Sequence, residues 1–191
     1  MATGGFLVRI VWHITCNLFT VMEHNPSSPA DYMNAVGLLN RREIEARILA
    51  PLLEALSSEF DRERVWEITR KVIQEIARRQ GAQSAAGVEA NDLENFVAVQ
   101  ETWKKDNAIQ TEVLERTRKK FSYNVYRCRY AEMYQHLGIP ELGKMLSCDR
   151  DFALIEGFNP NIQLSRTQTI MEGADICDFR FEVVTPKKPH R

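Results

Sequence analysis

Between Leu38 and Phe60 apolar residues return every four positions, at Ile44, Ile48, Leu52, Leu56 and Phe60. That spacing predicts an amphipathic helix whose stripe faces a core. Glu43 and Arg47, four apart in the favourable order, add an ion pair on its exposed side. Pro51 lacks a backbone donor, so a kink or a break is expected there. Asp61 is placed to cap a second helix over 63–80, with Val65, Trp66, Thr69, Val72, Ile73 and Ile76 on one face and Gly81 as its stop. Residues 81–87 (GAQSAAG) read as a small-residue loop. A third helix is expected from about Asp92 to Lys105, carried by Leu93, Phe96, Val97, Gln100 and Trp103, and a fourth around 109–119.

The pattern changes at Phe121. FSYNVYRC, residues 121–128, is rich in strand formers and gives way to a helix, RYAEMYQHL, that Gly138 stops. Tyr130, Met133, Tyr134 and Leu137 form the core-facing side of that helix. Two short helical pieces follow, ELGKML and RDFALIE. IQLSRTQTIM and ICDFRFEVV then read as two strands joined by EGAD, an antiparallel hairpin. Helices first and antiparallel strands later define an α+β fold: a helical N-terminal half packed with a small antiparallel sheet from the C-terminal half.

The chain ends modify this picture. Residues 6–22 (FLVRIVWHITCNLFTVM) are apolar but interrupted by Arg9, His13 and Asn17. The run is shorter than the roughly 20 residues a spanning helix needs, and no Ala-x-Ala-like cleavage site follows it. Residues 25–34 are rich in Pro, Ser and Asn and read as a linker. The expected organisation is an extension and linker over 1–35, one domain over 36–185, and a frayed polar tail over 186–191.

Composition narrows the partners. The 191 residues hold 25 basic and 26 acidic side chains, a net charge of −1. Such a balance gives no electrostatic reason for nucleic acid or an anionic membrane to be the main partner. A small-molecule ligand is expected instead, with homo-oligomerisation left open. Four scattered cysteines, Cys16, Cys128, Cys148 and Cys177, form no Cys-x-x-Cys pair, which suits free thiols in a reducing, cytoplasmic setting.

Several residues have the chemistry of a site. Cys128, Glu132 and His136 are spaced by four and project from one side of their helix, either as one pocket wall or as a solvated face. Cys148, Asp149 and Asp151 fall where two short helices meet; Asp149 is equally suited to capping a helix, and Cys148 to packing as a small apolar residue. Asn159, before Pro160, is either turn chemistry or a ligand-binding side chain. On the first strand of the hairpin Ile162, Leu164, Arg166, Gln168 and Ile170 share a face, a polar patch between aliphatic walls. Arg166 can fork onto a substrate carboxylate or onto an internal acid. On the second, Cys177 shares the apolar face with Phe179, Phe181 and Val183, while Asp178, Arg180 and Glu182 take the other. Cys128, Cys148 and Cys177 with a carboxylate or His136 have ligand chemistry for zinc, but their wide spacing gives the metal reading little support, and no cofactor is expected.

The run from Arg127 to Phe181 resembles the L-2-amino-thiazoline-4-carboxylic acid hydrolase family. The matching pieces are Cys128 with Tyr130, Ala131 and Glu132; the stretch from Cys148 to Asp151; Gly157 to Pro160; Arg166 to Thr169; and Cys177, Asp178 and Phe179. The helix beginning near Arg41 and Arg42 is similar to the family's usual start. The resemblance implies a hydrolase of a carbon–nitrogen bond in a small cyclic amidine, whose namesake reaction opens 2-amino-thiazoline-4-carboxylate to S-carbamyl-cysteine. It implies either that Glu132, Asp149 or Asp178 activates water, or that a cysteine, Cys177 or Cys148 first, adds to the amidine carbon. Arg166, Gln168, Asn159 and Cys128 are then the expected substrate-binding residues. The alternative is a non-catalytic small-molecule-binding or sensor domain of the same fold.

Overall fold

The computed structural model describes residues 36–184; the expected extension over 1–35, with Cys16, and the tail over 186–191 lie outside the described residues. Three helices lead, α1 (Leu38–Glu59), α2 (Arg62–Ala86) and α3 (Leu93–Gln100), the last passing into a 3₁₀ segment, Glu101–Asn107. Strands β1 (Ile109–Arg116) and β2 (Lys120–Cys128) follow, then helix α4 (Arg129–His136). A single turn α5 (Pro140–Gly143) continues into a π-helical turn, Lys144–Cys148, and then α6 (Arg150–Phe158). Strand β3 (Ile162–Ser165), a 3₁₀ turn at Ile170–Glu172 and strand β4 (Cys177–Val183) complete the chain. The strands form one antiparallel sheet in the order β1-β2-β4-β3. This is the expected α+β architecture. Among the described residues no helix is long and apolar enough to cross a membrane.

Local chemistry explains the helix starts. Asp61 Oδ1 accepts the Arg64 amide at 2.8 Å and Asp92 Oδ1 accepts the Asn95 amide at 2.9 Å, each satisfying a donor of the first turn. Gly138, at φ 73°, turns the chain out of α4 in a conformation that costs other residues more.

Six expectations are corrected. The four-residue stripe of α1 does not face the core: Ile44 and Ile48 are 58% and 63% exposed, and Leu52, Leu56 and Phe60 are exposed too. The helix has a second stripe, and Leu39, Arg42, Ala46 and Leu53 are the residues it buries. Pro51 does not break α1; it and Arg47 lie on the exposed side, where water can take the carbonyl that Pro51 leaves unpaired. Helix α2 passes through Gly81 and most of the expected loop to Ala86. A Cβ on Gly81 would lie 1.9 Å from the Leu154 carbonyl oxygen, and one on Gly157 would lie 1.9 Å from that of Arg78. The two glycines thus let α2 and α6 cross in backbone contact, so Gly81 is a close-approach residue and not a stop.

The segment expected as a fourth helix is the strand β1. Its side chains are mostly exposed, so burial leaves little alternation in the sequence, and backbone pairing with β2 decides its state. The third helix is α-helical only to Gln100; it tightens into the 3₁₀ segment and leaves helical geometry at Lys105, which is extended, and Asp106, which is left-handed (φ 59°). The hairpin is shorter than its sequence runs. β3 pairs with β4 from Ile162↔Val183 to Ser165↔Arg180, and residues 166–176 leave the sheet.

Two apolar clusters result. One gathers Leu39, Ala46, Leu53 and Ile73 against Tyr130, Tyr134, Leu142, Met145 and Leu146. The other packs Leu93, Phe96 and Val97 of α3 and Ile155 and Phe158 of α6 on the inner sheet face, Phe121, Tyr123, Val125, Cys177, Phe179 and Phe181. Ile109, Cys128 and Ile170 touch both clusters, marking the junction where the candidate site lies.

Candidate functional site

The junction encloses a cavity of about 90 Å³. At ~10–15 Å³ per water-sized position, it accommodates a ring-sized molecule and not a polymer. Leu38, Trp103, Ile109, Val125, Leu154 and Phe179 supply apolar wall. Cys128, Cys148, Cys177, Asp151, Arg42, Arg150 and Arg166 supply the chemistry. The sheet register brings Cys177 opposite Val125, three residues before Cys128 at the end of the same strand. Cys148 ends the π-helical turn, directly before α6 brings in Arg150 and Asp151.

All three thiols are free, and all are hard to ionise. Burial pushes Cys128 up to about 11, partly opposed by the Ala131 and Tyr130 amides at the start of α4. Burial pushes Cys148 well above the ordinary thiol range, with the Asp151 charge adding to it. Cys177 is raised by burial as well, although the Ile170 amide donates to its Sγ at 3.2 Å. An apolar pocket favours the neutral thiol, so these cysteines line the site as thiols rather than as ready nucleophiles.

Asp151 is the carboxylate of the cavity. Burial raises its pKa, and the Arg166, Arg150 and Arg42 charges pull the other way. Its side chain keeps 18% of its surface accessible, so water and ligand can reach it while protein atoms surround it. Arg166, its side chain 4% exposed, donates from Nη1 to Asp151 Oδ2 at 2.6 Å and from Nη2 to the Cys148 carbonyl at 2.7 Å. The guanidinium also lies 4.8 Å from the Phe179 ring centre and 5.2 Å from that of Phe152. Of its two expected partners, Arg166 has taken the internal one.

Of the nine expected site residues, Cys128, Cys148, Cys177 and Arg166 meet at the cavity, and the other five lie elsewhere. Glu132 is exposed and forms a two-point pair with Arg127, at 2.7 and 3.1 Å; His136 is exposed too, so the side of α4 that carries them faces solvent. Asp149 pairs with Lys144 at 2.8 Å and gives α6 no side-chain cap. Asp178 accepts from the Thr167 amide (2.9 Å), the Thr167 hydroxyl (2.7 Å) and the Gln168 amide (2.9 Å), and so ties down the segment after β3. Gln168 is exposed, since the chain has left the strand before it. Asn159 accepts the Asn161 amide at 2.8 Å and donates to the Asn91 carbonyl at 2.5 Å, the turn role weighed for it. Among the described residues no three His, Cys, Asp or Glu side chains are grouped to hold a metal ion.

Three cavity residues escaped the sequence reading of the site: Arg42, Arg150 and, as a principal group, Asp151. A signal for two of them exists. Arg42 continues the buried stripe Leu39, Ala46 and Leu53, and Asp151 stands three and seven positions before Leu154 and Phe158. A charge in register with an apolar helix face is a reason to suspect a functional position.

No curated protein matches this chain. Residues 41–181, which span α1 to β4 and every charged and thiol group of the cavity, match the family described as L-2-amino-thiazoline-4-carboxylic acid hydrolase, and the chain belongs to that family.

Proposed function

We propose that the cavity is the active site of a hydrolase that opens a carbon–nitrogen bond in a small cyclic amidine, 2-amino-thiazoline-4-carboxylate or a related ring. Asp151 carries this reading: a carboxylate open to an apolar, ring-sized cavity, its pKa raised by burial and one oxygen fixed by Arg166. A carboxyl nearer neutrality than usual can both accept and return a proton. Water adds to the amidine carbon as its proton passes to Asp151. Asp151 then gives that proton to the ring nitrogen as its bond to the carbon breaks, and the hydroxyl left on the carbon becomes the carbonyl as its own proton passes to the freed amine. Only water is consumed, so the reaction balances without a cofactor.

One observation favours a second route. The Ala131 and Tyr130 amides at the start of α4 oppose the burial of Cys128, and helix N-termini favour anions. A Cys128 thiolate would add to the same carbon, the ring nitrogen would leave with a proton as its bond to that carbon breaks, and water would then take the place of the thiol.

The test is turnover of a panel of cyclic amidines, thiazolines and hydantoin-like rings by the wild type and by the Asp151→Asn, Cys128→Ser, Cys148→Ser and Cys177→Ser variants. Loss of roughly 10²–10⁴-fold in Asp151→Asn alone supports the acid–base reading. Loss in Cys128→Ser with activity kept in Asp151→Asn transfers the role to the thiol. No turnover, with a ligand-dependent rise in Tm, leaves a binding domain instead.

A further inference from the structure

The cavity wall holds more positive charge than its own acids neutralise. Arg42, Arg150 and Arg166 all line it, and the first two are 7% and 5% exposed. Asp151 answers Arg166 at 2.6 Å. Arg42 Nη1 is bonded to Glu45 Oε2 at 2.6 Å, but that carboxylate is 41% exposed and shares its charge with solvent. The side-chain partner of Arg150 is the neutral amide oxygen of Gln80. Three guanidiniums against two carboxylates leave one buried positive charge, centred on Arg150.

An uncompensated buried charge is costly, and proteins keep one where a ligand supplies the counter-charge. We propose that Arg150, with Arg42 beside it, is the subsite that binds the carboxylate of the ligand in this cavity. This inference rests on the cavity being the ligand site and goes beyond the proposed chemistry, since it assigns the anchor to residues other than Arg166. The guanidinium of Arg166 is already held by Asp151 and the Cys148 carbonyl and stacked between Phe152 and Phe179.

Two further features agree. Burial, and then the neighbouring Arg42 charge, push Arg150 down to about 10, so an arriving carboxylate relieves both. Arg150 and Asp151 are consecutive at the start of α6 and both open on the cavity. A compact molecule carrying a carboxylate brings Arg150 the counter-charge it lacks, one residue away from Asp151. The subsite therefore selects carboxylate-bearing rings over their carboxyl-free counterparts.

The experiment compares L-2-amino-thiazoline-4-carboxylate with 2-amino-2-thiazoline, the same ring without the carboxyl group. Wild type and the Arg150→Gln, Arg150→Lys and Arg42→Gln variants are each read by KM, kcat and ligand-dependent shift in Tm. Circular dichroism checks that each variant is folded. The proposal expects the wild type to prefer the acid, and Arg150→Gln to weaken the acid by about ten- to a hundredfold, the range for a charged hydrogen bond. The carboxyl-free ring should change less than twofold, and Arg150→Lys should recover part of the preference. Equal effects on both rings, or an unchanged preference in Arg150→Gln, overturn the proposal while leaving the hydrolase reading intact. If no ring is turned over, the hydrolase reading fails on its own. The Tm comparison with thiazolidine-4-carboxylate and thiazolidine then decides the subsite: an acid-only shift lost in Arg150→Gln supports it, and any other pattern overturns it.

Discussion

Arg166, the first residue after β3, reaches back to Asp151 Oδ2 in the first turn of α6 at 2.6 Å. With side chains 4% and 18% exposed, the two ions are screened little by water. Breaking such a pair from one side leaves a buried charge alone, at a cost of roughly 3–5 kcal/mol. Arg166→Met is expected to lose stability on that scale in urea unfolding. The double variant Arg166→Met/Asp151→Leu is expected to recover part of the loss, because no charge is left unpaired. A double variant no more stable than Arg166→Met would show that the pair does not explain the loss.

The α2–α6 crossing should be intolerant of a single methyl group. Gly81→Ala and Gly157→Ala would each place a carbon 1.9 Å from a backbone oxygen. Forced overpacking of this kind costs ~1–3 kcal/mol or more. Gly87→Ala, whose new carbon would lie 3.6 Å from the Ser84 carbonyl oxygen, should stay within about 0.5 kcal/mol of wild type. Thermal unfolding of the three variants makes the comparison.

Thiol chemistry offers a separate check. With Cys128 pushed up to about 11, its thiolate fraction at pH 7.5 is on the order of a few in ten thousand. Iodoacetamide should label Cys128, Cys148 and Cys177 slowly in the native protein and quickly in denaturant. Fast native labelling of Cys128 at neutral pH would contradict this and strengthen the thiolate route.

Asp178 should impose an acid limit. Burial disfavours its charge, but hydrogen bonds from the Thr167 hydroxyl and the Gln168 and Thr167 amides outweigh that and hold its pKa below the ordinary value. A depressed folded pKa gives stability that is present above the unfolded value, ~3.9, and is lost as pH falls through the folded one. Stability against urea should therefore decline below about pH 4, and Asp178→Asn should flatten that decline while lowering stability at pH 7. An unchanged acid profile in Asp178→Asn would remove Asp178 as its source.

Carboxylates outside the cavity should be dispensable for the reaction. Glu132→Gln and Asp149→Asn remove an exposed ion pair with Arg127 and a half-buried one with Lys144, both away from the cavity. Exposed pairs contribute ~0–1 kcal/mol and neither carboxylate lines the cavity, so both variants should keep kcat/KM within about twofold of wild type. A large loss in either would mean that the reaction uses a carboxylate outside the cavity.

Much of the local structure was legible in the sequence. Asp61 was a recognisable cap because capping depends on one side chain and the next three amides. The two sides of α4 followed from Tyr130 and Tyr134, and the inward face of β4 from Cys177, Phe179 and Phe181, because each element buries one clear face. Helix α1 misled because it has two apolar stripes, and only docking against α4 and α5 selects the one at Leu39, Ala46 and Leu53. β1 misled because its residues stay exposed and its strand state comes from pairing with β2.

The fold class, the family and the inward-facing Cys177 were legible along the chain, since all rest on short-range pattern or on motifs. The site came from the packing of distant elements. It joined Cys128, Cys148 and Cys177 around Asp151, sent Glu132, Asp149 and Gln168 to other tasks, and buried Arg42 and Arg150 in the same cavity wall. The physical reason is that a cavity forms where separate elements fail to fill the space between them. Its lining depends on how α1, α6 and the sheet pack, as the Gly81–Gly157 crossing does, and not on any one segment.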